Sequence, residues 1–221
     1  MVQPLLSLPF WSPADIQAAV RPVSEHLGAH RVLAYPTETV YGFGTATDHE
    51  SVESLVRLKG RPPTKPFLLL INGSGMLDHL GLVLTPTASR FAARFWPGPL
   101  TLVLPGGDHR VPNRLRGPHG GVAVRWTPHP AVQQLLQAFG EPITSTSANR
   151  PGVPPATTAS EVVSQWTDAI LRGALLVLDG GALPPSQPST VVDCTGVHPV
   201  VVRTGAIALD ALRECVPEVT A

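Results

Sequence analysis

The sequence predicts an α/β fold: one domain over residues 1–221, with a twisted mixed sheet flanked by helices. Short apolar runs with strand character alternate with helical spacings along the chain. Proline, glycine and capping residues punctuate these segments. Several strands also succeed one another with too little chain between them for helical crossovers, which argues against a purely parallel sheet.

The elements follow in order. Ser12-Pro13 reads as an N-cap with proline at the first helical position, and Ile16, Ala19, Val20, Val23 and Leu27 keep helical spacing up to Gly28. Residues 32–35 form a short strand stopped by Pro36, and residues 40–44 continue beyond a polar turn. Asp48 caps a helix that ends near Gly60. Residues 67–71 read as a buried strand, and Thr85-Pro86 opens a helix carrying Phe91 and Phe95, which Pro97-Gly98-Pro99 ends. Strands are expected at 100–104, 122–125, 143–146, 174–178, 190–193 and 200–203. Helices are expected at 130–139, after Thr158 with its capping-box partner Glu161, and over 207–215 within a C-terminal helix and tail from 206.

Composition narrows the function classes. With 43% hydrophobic and 14% charged residues, the chain suits a globular core rather than disorder. Its longest apolar runs fall far short of the roughly 20 residues that cross a bilayer, so no membrane partner is expected. Cys194 and Cys215 lack metal-ligand spacing, and a reducing cytoplasm is the expected location. The net charge is zero, yet residues 54–140 hold ten Arg or Lys against only Asp78 and Asp108. That imbalance suits an anionic partner if the fold gathers the cations; a solvated basic surface is the alternative. Only two lysines occur, Lys59 and Lys65, and they flank Arg61.

No phosphate loop, dinucleotide turn, zinc-protease helix or nucleophile elbow is present, and no metal ligand set is expected. What remains is a series of polar residues at the ends of apolar strands, where loop side chains converge over a sheet edge. Thr37 and Thr39 follow one strand. Lys59, Arg61 and Lys65 precede another, Arg125 ends one, Ser145 and Ser147 end another, Ser189 opens one, and Arg203 ends the last. Singly, Thr37, Ser145 and Ser189 read as turn or capping residues, and the arginines as surface ion-pair residues.

As a set the motifs are more specific. They are Tyr-Pro-Thr-Glu-Thr-Val-Tyr-Gly at 35–42, Lys-Gly-Arg-Pro at 59–62 with Lys65-Pro66, and Pro-Gly-Pro-Leu-Thr at 97–101. Val-Arg at 124–125, Ser-Thr-Ser-Ala-Asn at 145–149, Ser-Thr-Val-Val-Asp at 189–193 and Arg203 complete them. In this order they resemble the threonylcarbamoyl-AMP synthase family, with its YrdC-like domain, over residues 34–205. The chain is similar to the short form, without the extra C-terminal domain.

The resemblance implies a YrdC-like fold with a basic concave face. It also implies the reaction of L-threonine, bicarbonate and ATP to L-threonylcarbamoyl-AMP and pyrophosphate, for N6-threonylcarbamoyladenosine in tRNAs reading ANN codons. By matched position, Thr37, Arg125 and Ser189 are threonine-binding, while Arg61, Lys65, Ser145, Ser147 and Arg203 are ATP-binding. Lys59, Arg61 and Lys65 are the catalytic cations, and Thr101 and Asn149 are supports. ATP is a substrate, with Mg²⁺ held through its phosphates. Expected partners are tRNA, including double-stranded RNA binding, and a downstream threonylcarbamoyl-transferase complex. The chemistry agrees: a guanidinium grips a carboxylate by two parallel bonds, and fixed cations neutralise phosphate charge without a protein nucleophile.

Three departures from the family pattern touch the subsites: Leu70, Gly121 and Pro151. Two other functions compete, a carbamoyl-adenylating domain of the hydrogenase-maturation type and a non-catalytic module for structured RNA.

Overall fold

Ser12 opens the first long helix, its hydroxyl accepting from Asp15 N while the Asp15 carboxylate returns to Ser12 N. This computed structural model describes residues 6–60 and 66–221, and the chain divides into two compact units. Unit 1 comprises residues 1–62 and 129–185, and unit 2 residues 63–128 and 186–221. Neither is continuous in sequence, so no linker announces the division.

Unit 1 holds β1 (Leu8–Pro9), α1 (Pro13–Gly28), β2 (Val32–Tyr35), β3 (Gly42–Gly44) and α2 (His49–Lys59). It also holds α5 (Pro130–Phe139), β7 (Ile143–Ser147), α6 (Ala159–Leu171) and β8 (Leu175–Asp179). Its strands lie in the order β1-β8-β2-β3-β7. β8 runs parallel to both β1 and β2, whereas β3 is antiparallel to β2 and to β7. β2, β7 and β8 therefore point the same way. Every residue of β2 is buried, as its uninterrupted apolar run requires. In β3, a Cβ on Gly44 would collide with the Thr144 carbonyl, so glycine is what lets β7 approach.

Unit 2 holds β4 (Leu68–Ile71), α3 (Gly75–Leu80), α4 (Pro86–Phe95), β5 (Leu100–Leu104) and β6 (Val122–Trp126). β9 (Thr190–Asp193), β10 (Val200–Arg203) and α7 (Leu209–Cys215) complete it. The order is β4-β6-β5-β9-β10. β4 is parallel to β6 and β5 to β9, while the β5–β6 and β9–β10 pairs are antiparallel. Both sheets are thus mixed.

Helix starts follow their caps. Asp48 accepts from Ser51 N, Thr85 from Ala88 N and Thr158 from Glu161 N, and Gly60 closes α2 in the left-handed region at φ 57°. Three elements are additional to the sequence reading: β1, α3 and a 3-10 turn at Asn113–Leu115. β3 begins at Gly42 rather than at residue 40 because the Thr37 hydroxyl accepts from Val40 N and donates to Val40 O. Those bonds hold Val40 in the turn.

Candidate functional site

In unit 1 the C-terminal ends of β2 and β7 carry the expected polar residues, the usual ligand edge of an α/β sheet. Beyond β2, the Thr37 hydroxyl donates to Val40 O at 2.7 Å, accepts from Thr39 N at 3.1 Å and lies 3.0 Å from the Thr39 hydroxyl. It is therefore the centre of a turn, and any ligand contact is additional to these bonds. Thr39 is its partner, a role the sequence reading did not single out; the Thr-x-Thr spacing at 37–39 is the available signal. Tyr41 anchors the same segment by donating to Gly181 O at 2.8 Å and accepting from Gly180 N at 3.1 Å. Burial pushes its phenol up to about 12.

Lys59, at the end of α2, is 8% exposed. Its ammonium donates to Ser147 O at 2.8 Å, Asn149 O at 2.6 Å and Asn149 Oδ1 at 3.2 Å. An ammonium has three hydrogens, and these acceptors engage all three. Lys59, expected among the catalytic cations, fixes the turn after β7 through these bonds, and any contact with phosphate is additional to them. Ser147 Oγ donates to Asn149 Oδ1 at 2.6 Å, and Asn149 Nδ2 reaches Val153 O at 2.7 Å, pinning the proline-rich loop that contains Pro151. Asn149, expected as a support, thus ties β7 to that loop. Ser145 is buried on β7, and a Cβ on Gly42 would lie 3.4 Å from its hydroxyl.

Behind the clamp is an aromatic stack. Lys59 lies over the Phe43 ring at 5.8 Å, Phe43 meets Trp166 edge-on at 5.3 Å, and Arg150 covers Trp166 at 4.7 Å.

Unit 2 brings together four more of the expected residues. Ser189, just before β9, is buried beside Thr101 of β5, their hydroxyls 2.9 Å apart. Arg203, at the end of β10, donates from Nε and Nη2 to Ser189 O at 3.1 and 2.8 Å, and from Nη2 to Ser189 Oγ at 3.0 Å. Arg125 is 4% exposed on β6, one step past the Val124–Leu102 pair and next to Leu70 in register. Burial of the Arg203 head, together with repulsion from Arg125, lowers the Arg203 pKa. A second guanidinium this close disfavours the Arg203 charge, and an anion beside it relieves that cost.

The Leu70 and Gly121 departures have structural consequences. Leu70 is fully buried on β4, and a Cβ on Gly121 would meet Val103 Cγ1 and Thr195 Cγ2 at 2.6 Å each. Close packing, rather than a ligand, selects glycine at 121.

Arg61 and Lys65 lie outside the described residues. Other cations of the basic segment have structural partners within unit 2. Arg90 bonds Cys215 O, Arg94 pairs with Glu214, Arg110 bonds the Asp78 carbonyl in α3, and Arg116 bonds loop carbonyls. Among the described residues there is no group of three or more His, Cys, Asp or Glu able to hold a metal, and no helix is long and apolar enough to cross a membrane.

The chain is similar to proteins that are already known. The family model Sua5_yciO_yrdC, described as "Telomere recombination", matches residues 25–205. A threonylcarbamoyl-AMP synthase of Chromohalobacter salexigens is 38% identical over 181 residues, covering 81% of this chain and 91% of the relative. One from Pyrococcus abyssi is 36% identical over 190 residues, covering 86% of this chain; the chain spans only 54% of that longer relative. Among solved structures, P. abyssi Sua5 complexed with L-threonine superposes with a TM-score of 0.84 at 32% identity, covering 97% of this chain and 62% of the other. On the strength of the matched family model and of relatives covered almost end to end, the chain belongs to the Sua5/YciO/YrdC family, that of the threonylcarbamoyl-AMP synthases.

Proposed function

We propose that the chain joins L-threonine, bicarbonate and ATP to give L-threonylcarbamoyl-AMP and pyrophosphate. The observation that carries this reading is the Arg203–Ser189–Thr101 chain beside Arg125, a fixed pair of cations with hydroxyls between them. Relatives bearing the synthase name support it. So does the L-threonine complex of P. abyssi Sua5.

In this proposal Arg125, Ser189 and Thr37 hold threonine, the guanidinium gripping its carboxylate. Ser145, Ser147 and Arg203 hold ATP together with Arg61 and Lys65, the cations assigned to phosphate charge. The threonine amine and bicarbonate form a carbamate with loss of water. A carbamate oxygen attacks the α-phosphorus, and the bond to the β-phosphate oxygen breaks to release pyrophosphate. Alignment of two anions and neutralisation of charge are the protein's tasks. Among the described residues there is no group of three or more His, Cys, Asp or Glu to cage a metal, and Mg²⁺ fits as a companion of the ATP phosphates, where it would supply charge. The adenylate then serves threonylcarbamoylation of tRNAs reading ANN codons through a transferase complex, in the cytoplasm.

The test is pyrophosphate release from ATP. It should require both L-threonine and bicarbonate, and L-valine should be refused more strongly than L-serine, since a site that pairs with the hydroxyl is left unsatisfied by valine. Turnover indifferent to threonine would overturn the proposal.

A further inference from the structure

The opposite edge of the unit 1 sheet carries a second basic cluster, separate from every residue assigned above. Because β2, β7 and β8 run the same way, Thr37 and Ser147 lie at one edge and the starts of β2 and β8 at the other. At those starts is a cleft of about 280 Å³, lined by His30, Arg31, Ser54, Arg57, Arg172 and Ala174. Arg31 and His30 come from the turn between α1 and β2, Arg57 from the last turn of α2, and Arg172 from the C-cap of α6. All three arginines are exposed.

The charge around the cleft is unbalanced. Among the described residues, neither Arg31, Arg57 nor Arg172 forms an ion pair; Arg57 is oriented by donating to Ser54 Oγ at 2.9 Å. The nearby carboxylates are turned to His30 instead, Asp48 at 3.2 Å and Glu50 at 3.6 Å. The C-termini of α1, α2 and α6 open here and attract cations, but each is equivalent to only about half a negative charge. Three helix ends therefore offset about half of the charge of three guanidiniums. No Phe, Tyr or Trp ring lines the cleft. Its volume sits just below the roughly 300 Å³ at which drug-sized ligand pockets begin, which suits a small multivalent anion rather than a whole nucleotide.

We propose that this cleft is a second anion site that binds phosphate groups through Arg31, Arg57 and Arg172. The guanidinium fork matches phosphate oxygens, and three forks suit a group bearing more than one charge better than a single carboxylate. Either a free polyphosphate or a phosphodiester of RNA presents these oxygens. The proposal is independent of the substrate assignments above.

The experiment is an amide NMR titration of the full chain with inorganic tripolyphosphate and, separately, with an RNA stem-loop, each against potassium chloride of equal ionic strength. Saturable shifts are expected at residues 30–32, 57–58 and 172–174. They should weaken about tenfold or more in Arg31→Gln/Arg57→Gln/Arg172→Gln, as loss of charge-assisted bonds requires. Threonine-dependent pyrophosphate release should stay unchanged in that variant. Shifts with tripolyphosphate alone identify a free polyphosphate as the source, and shifts with RNA alone identify its backbone. Absence of shifts at these amides with both probes overturns the proposal whether or not the variant folds, as does a response no larger than that to potassium chloride.

Discussion

Arg203 clasps Ser189 by backbone and side chain together, two nitrogens on the carbonyl and one of them also on the hydroxyl. The contact needs the planar fork, not merely the charge. Arg203→Lys should therefore lower kcat/KM about tenfold or more, corresponding to a lost charge-assisted bond of ~1.5–3 kcal/mol. Because much of the side chain is exposed, the unfolding free energy should change by less than about 1 kcal/mol. Steady-state kinetics beside urea denaturation separates the two effects.

Lys59→Met should behave differently. Removing the ammonium leaves Ser147 O, Asn149 O and Asn149 Oδ1 without this donor in a buried place. We expect a stability loss of ~2–4 kcal/mol and faster amide exchange over residues 147–153. Activity should fall in step with order in the turn. A variant that lost turnover at full stability would return Lys59 to a direct role on phosphate.

Gly121→Ser should destabilise the protein although a polar residue is common there in the family. Its Cβ would enter space held by Val103 and Thr195. Overpacking of this kind costs ~1–3 kcal/mol, readable as a lowered urea midpoint with an unchanged slope.

His129 gives a pH signature. Desolvation lowers its pKa, although the neighbouring Glu38 opposes the shift. Its Nδ1 accepts from Val132 N as the cap of α5. A folded pKa below the unfolded value of about 6.5 means that the unfolded chain binds the proton more readily. This contribution to stability is complete above about pH 6.5 and is lost as pH falls through the folded pKa. His129→Asn keeps a good cap and should flatten the stability profile below pH 6.5, measured by urea melts at successive pH values.

Much of this organisation was legible because local chemistry decided it. Ser12, Asp48, Thr85 and Thr158 cap the helices they were expected to cap, and Gly60 and Gly140 close α2 and α5. The pair at Leu8–Pro9 is too short to show a period, and α3 begins without a side-chain cap bond from Ser74. Neither leaves a signal in sequence. For the site, Thr101 could be named a support, but its partner, Ser189, comes from a strand that lies beside β5 only after folding. Lys59 illustrates the limit most clearly. Its rarity marks the lysine in the sequence, but Ser147 O, Asn149 O and Asn149 Oδ1 are brought to its nitrogen only by folding.

The chain crosses between the units three times, after residues 62, 128 and 185. A polypeptide emerging from the ribosome therefore cannot finish either sheet early. β1, β2 and β3 are made first but wait for β7 and β8, while β4, β5 and β6 wait for β9 and β10. Unpaired strand edges of both halves coexist until β8, β9 and β10 have been made, the interval in which a nascent chain is most exposed to self-association and most dependent on chaperones.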